Sequence, residues 1–176
     1  MKKLFALVLC LCMLLTAAAF AEDQKPFTVR NGVTFGMTLD QVTATETVRY
    51  HDLDREDTRG KVTFTELEYE NVTENGVRCD VTYLFVEDAL AAVKINYETR
   101  DIGYDQVKAA LTALYGEAAP LDPAALGNGI YAVDDDGKPE RQAEAWTSGS
   151  VMIVLELDED EIDLTYVDLA ASYIGG

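Results

Sequence analysis

The chain has 176 residues, with 32 Asp+Glu against 14 Lys+Arg, one His, three Cys and a formal charge of −18. That length suits one ordinary domain or two small repeats, and a hydrophobic content of 48% is enough for a packed core, which excludes wholesale disorder. The acidity argues against nucleic acid as a partner, because phosphates would be repelled.

Residues 1–21 read as a secretory signal peptide. Lys2 and Lys3 make the positive start, Leu4 to Leu15 the apolar stretch, and Ala19-Phe20-Ala21 a small-x-small cleavage site. The other reading is an uncleaved anchor, since Leu4 to Ala21 is free of charge and near the lower length limit of a membrane span. The cleavage site and the acidic Glu22-Asp23 that follow favour removal after Ala21 and a secreted or cell-envelope location. Cys10 and Cys12 each follow a Leu rather than the small residue that precedes a lipidated Cys, so no lipid anchor and no membrane attachment is expected after cleavage. Removal takes Lys2 and Lys3 and no acid, so the remaining chain is more acidic by two charges. It keeps only Cys79, which rules out an intramolecular disulfide.

Residues 22–176 then read as a single α+β domain. Thr38, with Gln41 three residues on, has the spacing of a capping box that opens a helix, and Leu39 and Val42 share a face of it. The polar run His51-Asp52-Leu53-Asp54-Arg55-Glu56-Asp57 reads as an exposed loop. Strands are expected over 61–70, 77–86 and 89–98, where Cys79, Val81, Tyr83 and Phe85 alternate with mostly polar neighbours. Asn75-Gly76 is a hairpin signal and Glu87-Asp88 fits a tight turn. A second helix begins near Tyr104, with Val107, Leu111 and Leu114 at helical spacing and Gly116 as its cap. Residues 117–128 and 134–141 read as connections. A short strand is expected at 130–133, and longer ones at 142–147, 151–157 and 162–167, joined through Ser148-Gly149-Ser150 and Asp158-Glu159-Asp160. Both helices carry Asp-Gln-Val, at 40–42 and 105–107. The tripeptide is short enough for coincidence. The shared order of elements is what points to two similar halves, about 27–98 and 103–170, each a helix packed on an antiparallel meander.

Phe27 to Val42, FTVRNGVTFGMTLDQV, resembles the opening of a group of exported bacterial proteins of uncharacterised function. Arg30-Asn31-Gly32, Phe35-Gly36, Thr38 and Asp40-Gln41-Val42 carry that resemblance. Tyr83-Leu84-Phe85, Leu114-Tyr115-Gly116, Trp146 and Leu164-Thr165-Tyr166 extend it over most of the chain after residue 21. The helix-plus-meander order is similar to the tandem fold of the β-lactamase-inhibitor proteins. More distantly it resembles outer-membrane assembly lipoproteins of the SmpA/OmlA type. These likenesses imply a binding module rather than an enzyme. The chain lacks the lipidated Cys of the second group and the paired cysteines of the first, so neither specific function carries over, and fold-level likeness has little functional weight.

The chemistry-bearing residues are sparse. His51 and Cys79 form a nominal Cys-His pair, but His51 lies in the polar run and Cys79 falls on the apolar side of its strand, where a thiol is buried and inert. Ser148 and Ser150 flank a hairpin glycine without an elbow motif. A zinc site lacks His and Cys ligands. Asp52-x-Asp54-x-Glu56 starts like a calcium loop, yet Asp57 stands where Gly is needed and Thr63 where Glu is needed. Asp134-Asp135-Asp136-Gly137 and Asp158 to Asp163 are further acidic turns, which read more simply as solvated. Asn71-Val72-Thr73 matches a glycosylation sequon by pattern. Trp146 and the tyrosines could line a groove, though strand aromatics more often pack in the core. Tyr166, Tyr173 and Ile174 suggest a docked C-terminal tail. No catalytic, cofactor-binding or metal-ligating residue is assigned. The reading is an exported, non-enzymatic binding or interaction module for an unknown protein or cell-envelope ligand; if charge steers it, the partner is basic or carries a basic patch. The alternatives are a secreted hydrolase using paired carboxylates or a calcium-dependent surface protein.

Overall fold

The computed structural model describes residues 27–58, 62–121 and 142–171. The signal segment, Asp134–Gly137, the strand expected at 130–133, and Tyr173 and Ile174 lie outside the described residues. In chain order the elements are α1 (Leu39–Thr45), β1 (Asp52–Thr58), β2 (Val62–Glu74), β3 (Val77–Val86), β4 (Ala89–Glu98), α2 (Tyr104–Tyr115), β5 (Ala119–Pro120), β6 (Gln142–Ser148), β7 (Val151–Asp158) and β8 (Glu161–Asp168). The strands form one antiparallel sheet in the order β1-β2-β3-β4-β8-β7-β6-β5, so the fold is α+β.

The turns follow from their residues. Asn75 and Gly76 take φ of 51° and 85° between β2 and β3, and Glu87 and Asp88 take 49° and 68° between β3 and β4. Two successive positive φ values give the primed turn whose twist matches its flanking strands. At α1, Thr38 Oγ1 accepts from the Gln41 amide and Gln41 Oε1 accepts from the Thr38 amide at 2.9 Å. This capping box satisfies two end donors of a helix too short to be stable alone. Gly116, at φ 88°, ends α2.

Alternation sorts the sheet into two faces. One carries Leu67, Tyr69, Val81, Tyr83, Val93 and Ile95 with the inward residues of β6–β8, and Val42 of α1 and Tyr104, Val107 and Leu111 of α2 join that same buried cluster. The other carries a smaller cluster, Ala92, Ala145, Met152, Val154 and Val167 with Leu121. Beside this cluster, over β3, β4 and β8, lie Thr82, Lys94, Thr165 and Asn96.

Two expectations are corrected. Residues 52–58 are not a loop: Asp52 to Thr58 pairs with Glu68 to Val62 along its whole length. The run gave no strand signal because only Leu53 is apolar; it is an edge strand, where acids discourage further pairing. For the same reason Asp52-x-Asp54-x-Glu56 is extended and cannot wrap an ion as a calcium loop does. Within the segment read as a plain connection, Ala119–Pro120 pairs with β6 as a two-residue strand. A third difference is one of length: β2 runs to Glu74, because a bulge between Tyr69 and Val72 absorbs Asn71 at φ 53° and the ladder resumes beyond it.

Candidate functional site

The Arg30-Asn31-Gly32 motif is a tight turn. Asn31 and Gly32 take φ of 50° and 88°, and the Val33 amide donates to the Arg30 carbonyl at 2.8 Å. The turn delivers two side chains to one carboxylate. Asn31 Nδ2 donates to Glu46 Oε2 at 3.0 Å, and Arg30 Nε lies 3.1 Å from Glu46 Oε1, with the side chains only 4% and 0% exposed. The Tyr83 hydroxyl donates to the same Oε1. Glu46 is the residue that closes α1, so this pair clamps the N-terminal turn and α1 to the middle of the sheet.

Arg30 has a second acidic neighbour, with Nε 3.7 Å from Glu74 Oε2. Its Nε contacts with both carboxylates are ionic rather than hydrogen-bonded, since neither Nε nor Nη1 has an aligned acceptor among the described residues. The phenols and thiol around it stay neutral. Burial, then the Glu46 hydrogen bond, pushes Tyr83 far up. Burial first and the Glu46 charge second push Tyr69 up to about 12. Burial raises the Cys79 thiol to about 11, opposed by Arg30. One guanidinium therefore faces two carboxylates, and the cluster carries one net negative charge.

Glu74 borders a groove of about 220 Å³ between α2 and the sheet. Val107, Leu111 and Leu114 form its helical wall, and Ile95 and Leu164 its floor. Tyr97 and Tyr166 contribute phenols, both raised first of all by burial and both raised further by the Glu74 charge. Among the described residues that line it, Gln106 and Asn75 are the neutral polar groups and Glu74 is the one that carries a charge. Leu114 at the rim is 73% exposed. Helix α2 is anchored beyond the groove: Lys108 Nζ meets Glu144 Oε1 at 2.6 Å, and Trp146 Nε1 donates to the Gly116 carbonyl at 2.9 Å. On the other side Phe27 packs against Tyr115 and Tyr166, at 6.4 and 5.8 Å between ring centroids.

His51 stands exposed, 3.4 Å from Glu70, whereas Cys79 is buried at 3% exposure, as its strand position implied. Ser148 ends β6 at a hairpin. Asp163 is buried on the opposite face of the sheet, 2.8 Å from both Lys94 and Asn96. Trp146 is core; Tyr97 and Tyr166 line the groove. Sequence reasoning missed Glu46 and Glu74 altogether. Arg30 stood in a marked motif, and the Asn-Gly step announced the turn, but its partners lie 16 and 44 positions away. Glu46 also has no side chain open to a substrate, which disqualifies it as half of a catalytic carboxylate pair.

Among the described residues no group of three or more His, Cys, Asp or Glu could hold a metal ion, and no helix is long and apolar enough to cross a membrane. No family model, curated protein or solved structure matches the chain.

Proposed function

We propose that the protein is an exported, non-enzymatic binding module whose ligand site is the groove beneath α2. The observation that carries this reading is the groove itself: apolar walls, two phenols and one carboxylate converge on about 220 Å³. Concave, largely apolar sites with a few placed polar groups are where small ligands bind. The exposure of Leu114 at the rim fits the same use, because packing in the core does not account for it. Export is supported by Lys2-Lys3, the apolar Leu4–Leu15 stretch and Ala19-Phe20-Ala21.

The element order supports reading the chain as two similar halves. Among the described residues each has one helix followed by four strands, and the two meanders meet at β4 and β8. In this reading each half is a helix on a meander, an arrangement similar to that of the tandem binding modules named above. The groove then lies over the join, since its floor is Ile95 of β4 and Leu164 of β8, paired directly across the seam.

The test is a screen of small envelope-derived metabolites by amide chemical-shift changes on the full chain, with Ala110→Trp as the blocking variant. Ala110 is an exposed lining residue of α2, so the indole fills the groove without disturbing the core. Shifts confined to the groove and abolished by Ala110→Trp are expected. Shifts that survive the block, or none with any compound, refute the assignment.

A further inference from the structure

We infer that the groove selects a small organic cation, an ammonium carrying a compact apolar body, with the ammonium beside Glu74. This rests on the groove being the ligand site and adds its chemical class. Among the described residues Glu74 is the one charged residue of the lining, and the cation paired with it is already engaged: Arg30 Nε is 3.1 Å from Glu46 but 3.7 Å from Glu74. A single guanidinium cannot neutralise both carboxylates, so the excess negative charge resides on Glu74, the member of the trio that borders the groove. Among the described residues Glu74 also accepts a neutral hydrogen bond, from Asn75 Nδ2 at 3.3 Å.

Three kinds of occupant then differ in what they do to that carboxylate. An uncharged apolar molecule covers it and strips its water without a replacement partner, which is costly for an ionised group. An anion adds like-charge repulsion. A cation supplies the missing partner in a site where water is partly excluded and the attraction is stronger than in solution. Tyr97 and Tyr166 add aromatic surface, which cations favour over anions. The size limit follows from the cavity: about 220 Å³ is below the roughly 300–1,000 Å³ of pockets that hold drug-sized ligands. A single ring or a short branched chain fits. The chain's overall charge of −18 attracts cations in the approach as well.

The experiment compares three probes of one shape: 2-phenylethylammonium, uncharged 2-phenylethanol and anionic 3-phenylpropionate, titrated at millimolar concentration into the full chain and followed by amide shifts. The ammonium should bind at least about tenfold more tightly than the alcohol, and the carboxylate least of all. Glu74→Gln should reduce the ammonium's preference to within about twofold, by weakening the ammonium and strengthening the alcohol. Leu114→Ser, at an exposed position that folding does not depend on, should weaken ammonium and alcohol alike. Equal binding of all three probes, blocked by Ala110→Trp, would keep the groove as a ligand site and overturn the cation assignment. A preference for the ammonium that persists in Glu74→Gln would overturn it too. Binding that survives Ala110→Trp, or no binding of any probe, would overturn both readings.

Discussion

Two arginines in this protein each sit between two carboxylates, and the two clusters have opposite consequences. Arg78 lies 3.4 Å from Glu98 and 3.6 Å from Asp101, with the three side chains between 32% and 48% exposed. Arg30 lies between Glu46 and Glu74 with its own side chain at 4%. Each arginine has two acidic neighbours, and the solvent differs. Around Arg78, water screens every charge, and Arg100 adds a second cation 2.6 Å from Glu98. Around Arg30 little water remains, so losing Glu46 leaves the guanidinium only the longer 3.7 Å contact with Glu74 in a poor solvent. The buried cluster fixes where the N-terminal turn and α1 meet the sheet, and it leaves one negative charge at the edge of a groove. The exposed cluster does neither.

The largest effect should come from Glu46→Ala. It strands the Tyr83 hydroxyl and the Asn31 amide and leaves the Arg30 guanidinium with Glu74 alone at 3.7 Å, and the expected loss is about 3–5 kcal/mol in urea unfolding. A loss under about 1 kcal/mol would mean that water reaches Arg30 and that the two clusters are alike after all.

An intermediate effect is expected at alkaline pH. The Cys79 thiol is raised from 9.0 to about 11 and the Tyr69 phenol from 10.0 to about 12, both chiefly by burial. Below pH 9 both groups are protonated whether the chain is folded or not, so they add no pH dependence. Above it the unfolded chain loses protons that the folded chain retains, and stability falls as pH rises through these folded values. Denaturant midpoints at pH 8, 9.5 and 10.5 should decline in that order, and Cys79→Ala should flatten the first step. The native thiol should also react slowly with a thiol reagent and quickly in denaturant. Fast native labelling would contradict its burial.

The smallest effect is expected from Arg78→Ala, at or below about 1 kcal/mol and smaller still in high salt. A larger loss that salt does not reduce would show that this cluster too is shielded from solvent.

Much of the fold was legible because its signals are local. The capping box at Thr38 and Gln41, the Asn75-Gly76 hairpin and the alternation from Cys79 to Phe85 each lie within a few residues, and each produces the element it announces. β1 was not legible, because an acid-rich edge strand takes its structure from its neighbour rather than from its own residues. The candidate site was almost invisible. Arg30, Glu46 and Glu74 come from a turn, a helix end and a strand end, and nothing in the sequence spacing links them. Tyr97, Tyr166, Val107 and Leu111 read as core residues, and they are; the groove exists because α2 and the sheet do not close fully over them.

The central claim is that Glu46 holds Arg30 and leaves Glu74 free to face a ligand. Two double-mutant cycles in urea unfolding test it directly, one coupling Arg30→Met with Glu46→Leu and the other Arg30→Met with Glu74→Gln. A coupling of about 2–3 kcal/mol is expected in the first cycle, with the uncharged double variant losing less than the two single changes summed, and under about 1 kcal/mol in the second. Equal couplings, or a larger one for Glu74, would contradict it by making Glu74 a structural partner of Arg30 rather than the charge of the groove.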